Sequence, residues 1–498
     1  MKRLSVAKFA LTFLIFGGAT VAVLSAQTVT TTYTFTGMDG FQPSVLVQGT
    51  DGNFYGTTNQ GGAYCWFGLV WRAPGCGTIF RLTSAGVFTS LHSFCYSYDY
   101  PWCRDGSFPG AGVVAATDGY FYGTTTGGGA YNDSSQCSYC EGTFFKMGPL
   151  GDYYELFSFG RSGEHFYPED IPEMLLQGAD GNFYGIDSFG GYCGGCGALF
   201  KITSTGTMTL LYDFCSTYPP GCSDGSHATW LMQAANGQIY GTNSSSGGKN
   251  CGTVFKMNAA GTLTSLHSFR PLADGCAPSS LIQANDGNFY GTASTGGANA
   301  WGTVFRMAPN GQVTNLYNFC SQALCSDGAV PNAPLVQASD GNFYGTTIGN
   351  SAQTDDSVIF SITPDGIYTV LYTFNKDTEH AATAGLTQST DGSFFGGTGN
   401  GVCENFTQCG TLYHLSVGLA PFVKTMTNMG KVGRVISILG TNLTGATGVQ
   451  FNGTPAAFRV ASGTLIYAKV PSGATTGAIQ VSTPGGTLSS NAAFRVIP

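Results

Sequence analysis

A six-residue phrase recurs seven times along this chain, and that recurrence limits the fold more than any other feature. The first copy reads Asp51-Gly-Asn-Phe-Tyr-Gly56, and the others begin at Asp118, Asp180, Asn236, Asp286, Asp340 and Asp391, spaced 50 to 67 residues apart. Periods of this size mark stacked units, none of which can bury both of its faces alone. Each unit holds four short apolar runs, which in the fifth are 281–284, 288–292, 303–307 and 313–319. Asp286-Gly287 and Asn310-Gly311 separate them, and such pairs tolerate the positive φ of tight hairpins. Four antiparallel strands make a blade, and seven blades stacked about an axis make a β-propeller.

The two ends of the repeat array complement each other. The last unit supplies runs at 386–389, 393–398 and 411–415, then passes into Gly418-Leu419-Ala420-Pro421 without a fourth. Tyr33-Thr-Phe35 matches Tyr372-Thr-Phe374, the fourth run of the unit before it. The N-terminal segment is therefore expected to close the ring, with residues 32–36 paired to 410–415, which removes an exposed sheet edge.

Two resemblances follow from these motifs. The phrase at 51–58, with Gly252-Thr-Val-Phe-Lys-Met257 and Gly302-Thr-Val-Phe-Arg-Met307, resembles the GloVer tandem repeat of bacterial secreted and surface proteins over residues 33–416. That family often carries a C-terminal anchor, and no sorting tail is visible in this chain. Beyond Pro421 the repeat phrase and the cysteines stop. Ile438-Leu-Gly-Thr-Asn-Leu443, Val449-Gln-Phe-Asn-Gly453 and Val470-Pro-Ser-Gly473 resemble an IPT/TIG domain, which implies an immunoglobulin-like β-sandwich used as a spacer or adhesive unit. The expected protein is all-β: a signal peptide over 1–26, a seven-bladed β-propeller over 27–418 and the immunoglobulin-like domain over 419–498.

Met1-Lys2-Arg3, the apolar run 9–24 and the small residues Ser25-Ala26 read as that signal peptide, so a secreted, extracellular or cell-surface location is expected. No later apolar run is long enough to span a bilayer, so no transmembrane segment is expected in the mature chain. The formal net charge is −8 and the few Lys and Arg are scattered, which leaves no footprint for nucleic acid. A monomer is expected.

All sixteen cysteines follow the leader, which favours disulfides. Within loops the pairs are Cys65 with Cys76, Cys95 with Cys103, Cys137 with Cys140, Cys193 with Cys196, Cys215 with Cys222, Cys320 with Cys325, and Cys403 with Cys409. Cys251 and Cys276 remain and can bridge two loops. Blade topology puts all of these loops on one face. Cys137-Ser-Tyr-Cys140 and Cys193-Gly-Gly-Cys196 lack the helix of a redox motif and the second pair of a zinc ribbon.

Catalytic signatures are absent: there is no nucleophile elbow, phosphate loop or His-Glu-x-x-His helix, and no catalytic residue is assigned. His92, His267 and His414 occupy repeat positions. His165, His227 and His380 lie in loops of different junctions, where Glu164, Glu169 or Glu379 could join them at a metal. Asp39, Asp105, Asp224, Asp274 and Asp327 each precede a glycine before an inner strand. Such carboxylates could hold Ca²⁺, but aspartate before glycine also makes local turns, so neither metal nor cofactor is expected.

Aromatic crowding is the remaining signal. Trp66 and Trp71 share one loop of the first unit, and Tyr98 and Trp102 share the next, while the Cys320–Cys325 loop has no aromatic residue. Rings held by staples lose little entropy on binding, so these four are the candidate ligand-binding residues. The function expected is binding or scaffolding outside the cell, with the loop face meeting a glycan, peptide or surface partner. An extracellular lyase or hydrolase at the ring mouth and a structural wall or matrix component are the alternatives.

Overall fold

In the fourth repeat unit the strands Ser226–Gln233, Ile239–Ser245, Thr253–Met257 and Leu263–Ser268 pair antiparallel in chain order. The second and third are almost wholly buried, as short continuous apolar runs require. The fourth strand is exposed or half-buried along its length. The phrase itself has a packing origin. Gly241 pairs across the sheet with Phe255, whose ring comes within 2.3 Å of where a Cβ would stand. The same glycine–aromatic opposition recurs at Gly56 with Phe80 and Gly123 with Phe145. At the turn, the Asp286 carboxylate accepts hydrogen bonds from the Asn288 backbone N–H, the Asn288 side chain and the Tyr290 hydroxyl.

This computed structural model describes residues 27–63, 75–95, 103–110, 112–129, 142–160, 172–188, 195–216, 222–258, 260–349, 357–375, 381–399 and 410–497. The expected leader lies outside them. Among the described residues of the repeats, seven antiparallel sheets follow one another, six of four strands and the first of five, in which Phe41–Pro43 and Val47–Gln48 both pair with Phe54–Gln60, and their arrangement is propeller-like. Strand Thr28–Thr34 joins the last sheet, pairing with Thr411–Ser416. The Phe35 N–H extends that ladder to the Gly410 carbonyl.

Apolar clusters fill every space between neighbouring sheets. One of them joins Phe395 and Leu412 of the last sheet to Leu46, Phe54 and Phe80 of the first, with Phe35 fully buried between. A second set of links runs around the turns. At the end of the first strand of a sheet, a glutamine bonds its own turn and the turn of the preceding sheet. Gln283 donates from Nε2 to the Gly287 carbonyl and accepts at Oε1 from the Ala235 N–H. Gln177, Gln233, Gln337, Gln388 and Gln48 do the same, and Gln48 receives the N–H of Thr390 from the last sheet. Ala115 holds the seventh position, between the first and second sheets.

The connections within a sheet alternate ends. First-to-second and third-to-fourth turns lie at one end, the turn face. Second-to-third loops and the links to the next sheet lie at the other, the loop face.

Residues beyond 421 build a separate apolar core around Val423, Ile438, Val449, Phe451, Ile466 and Phe494. Two four-stranded antiparallel sheets surround it, one containing Val435–Leu439 and Leu465–Lys469, the other Gly448–Phe451 and Ile479–Thr483. This unit is seated on the turn face of the repeats rather than held away from them as a spacer. Thr464 Oγ1 donates to the Thr50 carbonyl at 3.1 Å, Arg434 to Ala179 at 3.3 Å and Asn491 to Gln337 at 3.3 Å. Arg495 reaches the Ala235 carbonyl, the Asn285 side chain reaches the Asn491 carbonyl, and Phe422 N–H bonds Thr390. Turns of the first, third, fourth, fifth, sixth and seventh sheets are all engaged. No helix among the described residues is long and apolar enough to cross a membrane.

Candidate functional site

The loop face carries the staples. Cys95–Cys103, Cys215–Cys222, Cys251–Cys276 and Cys320–Cys325 are disulfides. Cys76 and Cys196 are also disulfide-bonded, and the described residues include no free cysteine. Cys65, Cys137, Cys140, Cys193, Cys403 and Cys409 lie outside the described residues. Cys95, Cys215 and Cys320 share a positive φ of 56–63°, so the bridges hold equivalent loops in a backbone conformation that side chains disfavour. This density of bridges fits an oxidising compartment. The aromatic candidates Trp66, Trp71, Tyr98 and Trp102 also fall outside the described residues, as do His165 and His380.

The five aspartates before glycine have their oxygens turned to the loops beside them. Asp224 accepts from the Tyr212 hydroxyl and the Cys215 N–H, and Asp327 from the Tyr317 hydroxyl and the Ser321 N–H and Oγ. Asp39 accepts from Tyr33 and from the Thr36 N–H. His92 bonds Asp105 at 3.1 Å and His267 bonds Asp274 at 2.9 Å, so histidine replaces tyrosine in one repeated contact. Arg270 adds a two-pronged contact to Asp274. Burial alone would raise the Asp274 carboxyl, but its hydrogen bonds from Arg270 and His267 outweigh that and hold it below the usual carboxylate range. These carboxylates close loops, each with its own donors.

A different set of residues breaks the repeat. At the loop-face end of the third sheet stand Glu173, Asp187 and Ser188, next to His227 at the start of the fourth. Equivalent positions elsewhere hold Ser44, Gly110, Thr229 and Ser279 in place of Glu173, and Thr58, Thr125 and Thr347 in place of Asp187. His227 has φ 53°, but so do Ala277 and, within a few degrees, Gln42, Phe108 and Val330, so its backbone belongs to the repeat and only its side chain is special. Ser188 Oγ donates to Glu173 Oε2 at 2.6 Å. Enclosure by protein pushes the Glu173 carboxyl up; the Ser188 hydrogen bond opposes this, the Asp187 charge adds to it and His227 opposes it. Asp187 is fully buried while Glu173 keeps an exposed side. A carboxyl so held keeps its proton to higher pH than an exposed one, and it can accept from a hydroxyl or act as a proton donor. Reading the seven phrases in register would have found Asp187, since Gly185-Ile-Asp187 stands where Gly56-Thr-Thr58 is the norm. Glu173 lies outside the phrase, in a strand whose sequence varies. Among the described residues, the only trios of ligating atoms close enough for one metal ion are cysteine sulfurs, Cys76 with Cys95 and Cys103 and Cys196 with Cys215 and Cys222.

Comparison with known proteins bears on the whole chain. A sequence profile described as the Gloeobacter/Verrucomicrobia repeat matches residues 16–229 and 226–457, and the IPT/TIG domain profile matches 421–496. No curated protein matches. Among solved structures, two domains assigned as extracellular parts of hybrid two component systems of B. thetaiotaomicron align with TM-scores of 0.47. They are 12% and 11% identical; the alignments cover 90% and 95% of this chain but 52% and 60% of theirs. A gluconolactonase of Xanthomonas campestris aligns with a TM-score of 0.38 at 11% identity, over 79% of this chain and 91% of its own. Likeness at this level carries no argument about activity.

Proposed function

Because the chain belongs to the Gloeobacter/Verrucomicrobia repeat family and ends in an IPT/TIG domain, we propose that it is a secreted or cell-surface binding protein. In this reading the repeats form a seven-bladed β-propeller, the C-terminal unit is an immunoglobulin-like sandwich, and the stapled loop face contacts a glycan, peptide or surface partner. One observation carries it: among the described residues the C-terminal unit bonds the turn face, and the opposite face is the one whose loops are cross-linked. A disulfide restricts the conformations open to the loop it closes, which lowers the entropy cost of contact. Cyclic packing of the sheets, including the first on the last, supports the ring.

Trp66, Trp71, Tyr98 and Trp102 are the residues proposed to meet the partner. The test is retention on immobilised glycans and cell-wall fractions, with and without chelator. Trp102→Ala should abolish retention and leave the melting temperature nearly unchanged. Lower stability with retention intact would assign these rings to a loop core instead.

The cluster at Glu173 favours a second reading, an extracellular hydrolase or lyase acting at the same mouth. There Glu173 would exchange the proton while Ser188 and His227 position it. Turnover of a glycan or lactone that disappears in Glu173→Gln, with folding intact, would establish it; absence of turnover across both classes would leave the binding reading.

A further inference from the structure

We propose that the junction between the first and second sheets is a binding slot for a primary carboxamide, supplied as the glutamine side chain of a partner protein. At the six other junctions the chain fills this slot itself. The glutamine Nε2 donates to the carbonyl of the glycine four residues on, at 3.0–3.4 Å. Its Oε1 accepts a backbone N–H from the turn of the preceding sheet, at 2.7–3.3 Å. Ala115 stands in register with those glutamines: it pairs with Phe121 as Gln283 pairs with Phe289 and Gln337 with Phe343.

The groups that a glutamine would have joined are still present. By position they are the Thr50 N–H and the Gly119 carbonyl, and neither has a partner among the described residues. Between them lies a crevice of about 50 Å³ whose lining includes Gly49, Ala115, Phe121, Pro149 and Met426. A glutamine exceeds an alanine by one methylene and one carboxamide, and this space admits a group of that size, being several times what one water needs. The walls are mostly apolar, so the two polar ends of the slot set its selectivity.

The chemistry selects an uncharged amide. A carboxylate has no N–H for the Gly119 carbonyl and would meet Asp51 on the crevice wall, so glutamate is rejected on both counts. The internal precedents favour a protein source. In all six, a straight chain of two methylenes carries the amide in, whereas the acetamido group of an amino sugar is tethered through its nitrogen to a bulky ring. Met426 of the C-terminal unit forms part of the wall, so that unit contributes to the slot when docked. It lies on the turn side of the molecule and is independent of the loop-face reading.

The test is an NMR titration of the full-length protein with blocked glutamine, blocked glutamate and N-acetylglucosamine, read at the amides of Thr50 and Tyr120. Blocked glutamine should shift both and the other two compounds neither. Ala115→Gln, which fills the slot, should lose the response and raise the melting temperature. Gln283→Ala, which opens a slot of the same design, should add a glutamine-dependent shift at the Ala235 amide. No response to glutamine, an equal response to glutamate, or a response that survives Ala115→Gln would overturn the proposal. A response to N-acetylglucosamine instead of glutamine would overturn the protein source.

Discussion

Lys424 shows how one residue couples the two parts of the chain. Its Nζ donates to the Gln388 carbonyl at 3.0 Å, beside the last repeat phrase. Burial lowers its pKa to about 8, only partly opposed by Asp391. Between that value and the ordinary lysine range the unfolded chain keeps a proton that the folded chain has released, so stability from this group rises with pH. Across the whole window the gain is up to about 3 kcal/mol. Tyrosines such as Tyr413, whose pKa burial raises, act in the opposite direction above about pH 10. The expected result is therefore a difference: urea unfolding of wild type minus that of Lys424→Met should grow between about pH 8 and 10. A flat difference would mean that the ammonium remains hydrated.

At the level of elements, the strand Thr28–Thr34 depends on residues almost 400 positions away, because its ladder partner is Thr411–Ser416. Phe35, just after it, is fully buried, and Tyr33 stacks on Phe88 of the first sheet with ring centroids 4.0 Å apart. Phe35→Ala should cost about 3–5 kcal/mol, as for other buried phenylalanines, and chemical denaturation measures it. The staples should rank by the length of chain they close. The Cys251–Cys276 bridge spans 25 residues and Cys320–Cys325 spans 5. Loop-closure entropy gives about 3.5 and about 2 kcal/mol respectively, so the double serine variant of the longer bridge should melt lower. Equal losses would point to strain or to residual structure in the unfolded chain.

For the whole molecule, the seating of the C-terminal unit across six turns makes it a brace for the repeats. Its contacts reach Thr50, Ala179, Ala235, Asn285, Gln337 and Thr390, each on a different sheet. Ending the chain after Gly418 should lower the melting temperature of the repeats in calorimetry, since carbonyls and turns now covered would return to water. An unchanged transition would show that the two units fold as independent bodies.

The sequence alone determined whatever repeats. Seven phrases in register specify strand type, turn chemistry and the glycine that lies beneath a cross-strand aromatic ring, because these depend on neighbours within one unit. The match of Tyr33-Thr-Phe35 to Tyr372-Thr-Phe374 was enough to pair the chain ends, since a fourth-strand pattern without a sheet and a sheet without a fourth strand complete each other. The pairing of Cys251 with Cys276 was legible too, by the arrangement of cysteines in loops. Tertiary structure decided what lies between units. The glutamine at the end of the first strand in six of the sheets appears in the sequence as a single polar residue, and only the stacking of sheets reveals that its amide joins two turns and that Ala115 leaves one such joint unfilled. Glu173 and Ser188 meet through the pairing of adjacent strands in the third sheet, and only the stacking of sheets brings His227 of the fourth beside them. The docking of the C-terminal unit depends on backbone carbonyls, which every residue carries, so no side-chain pattern could have announced it.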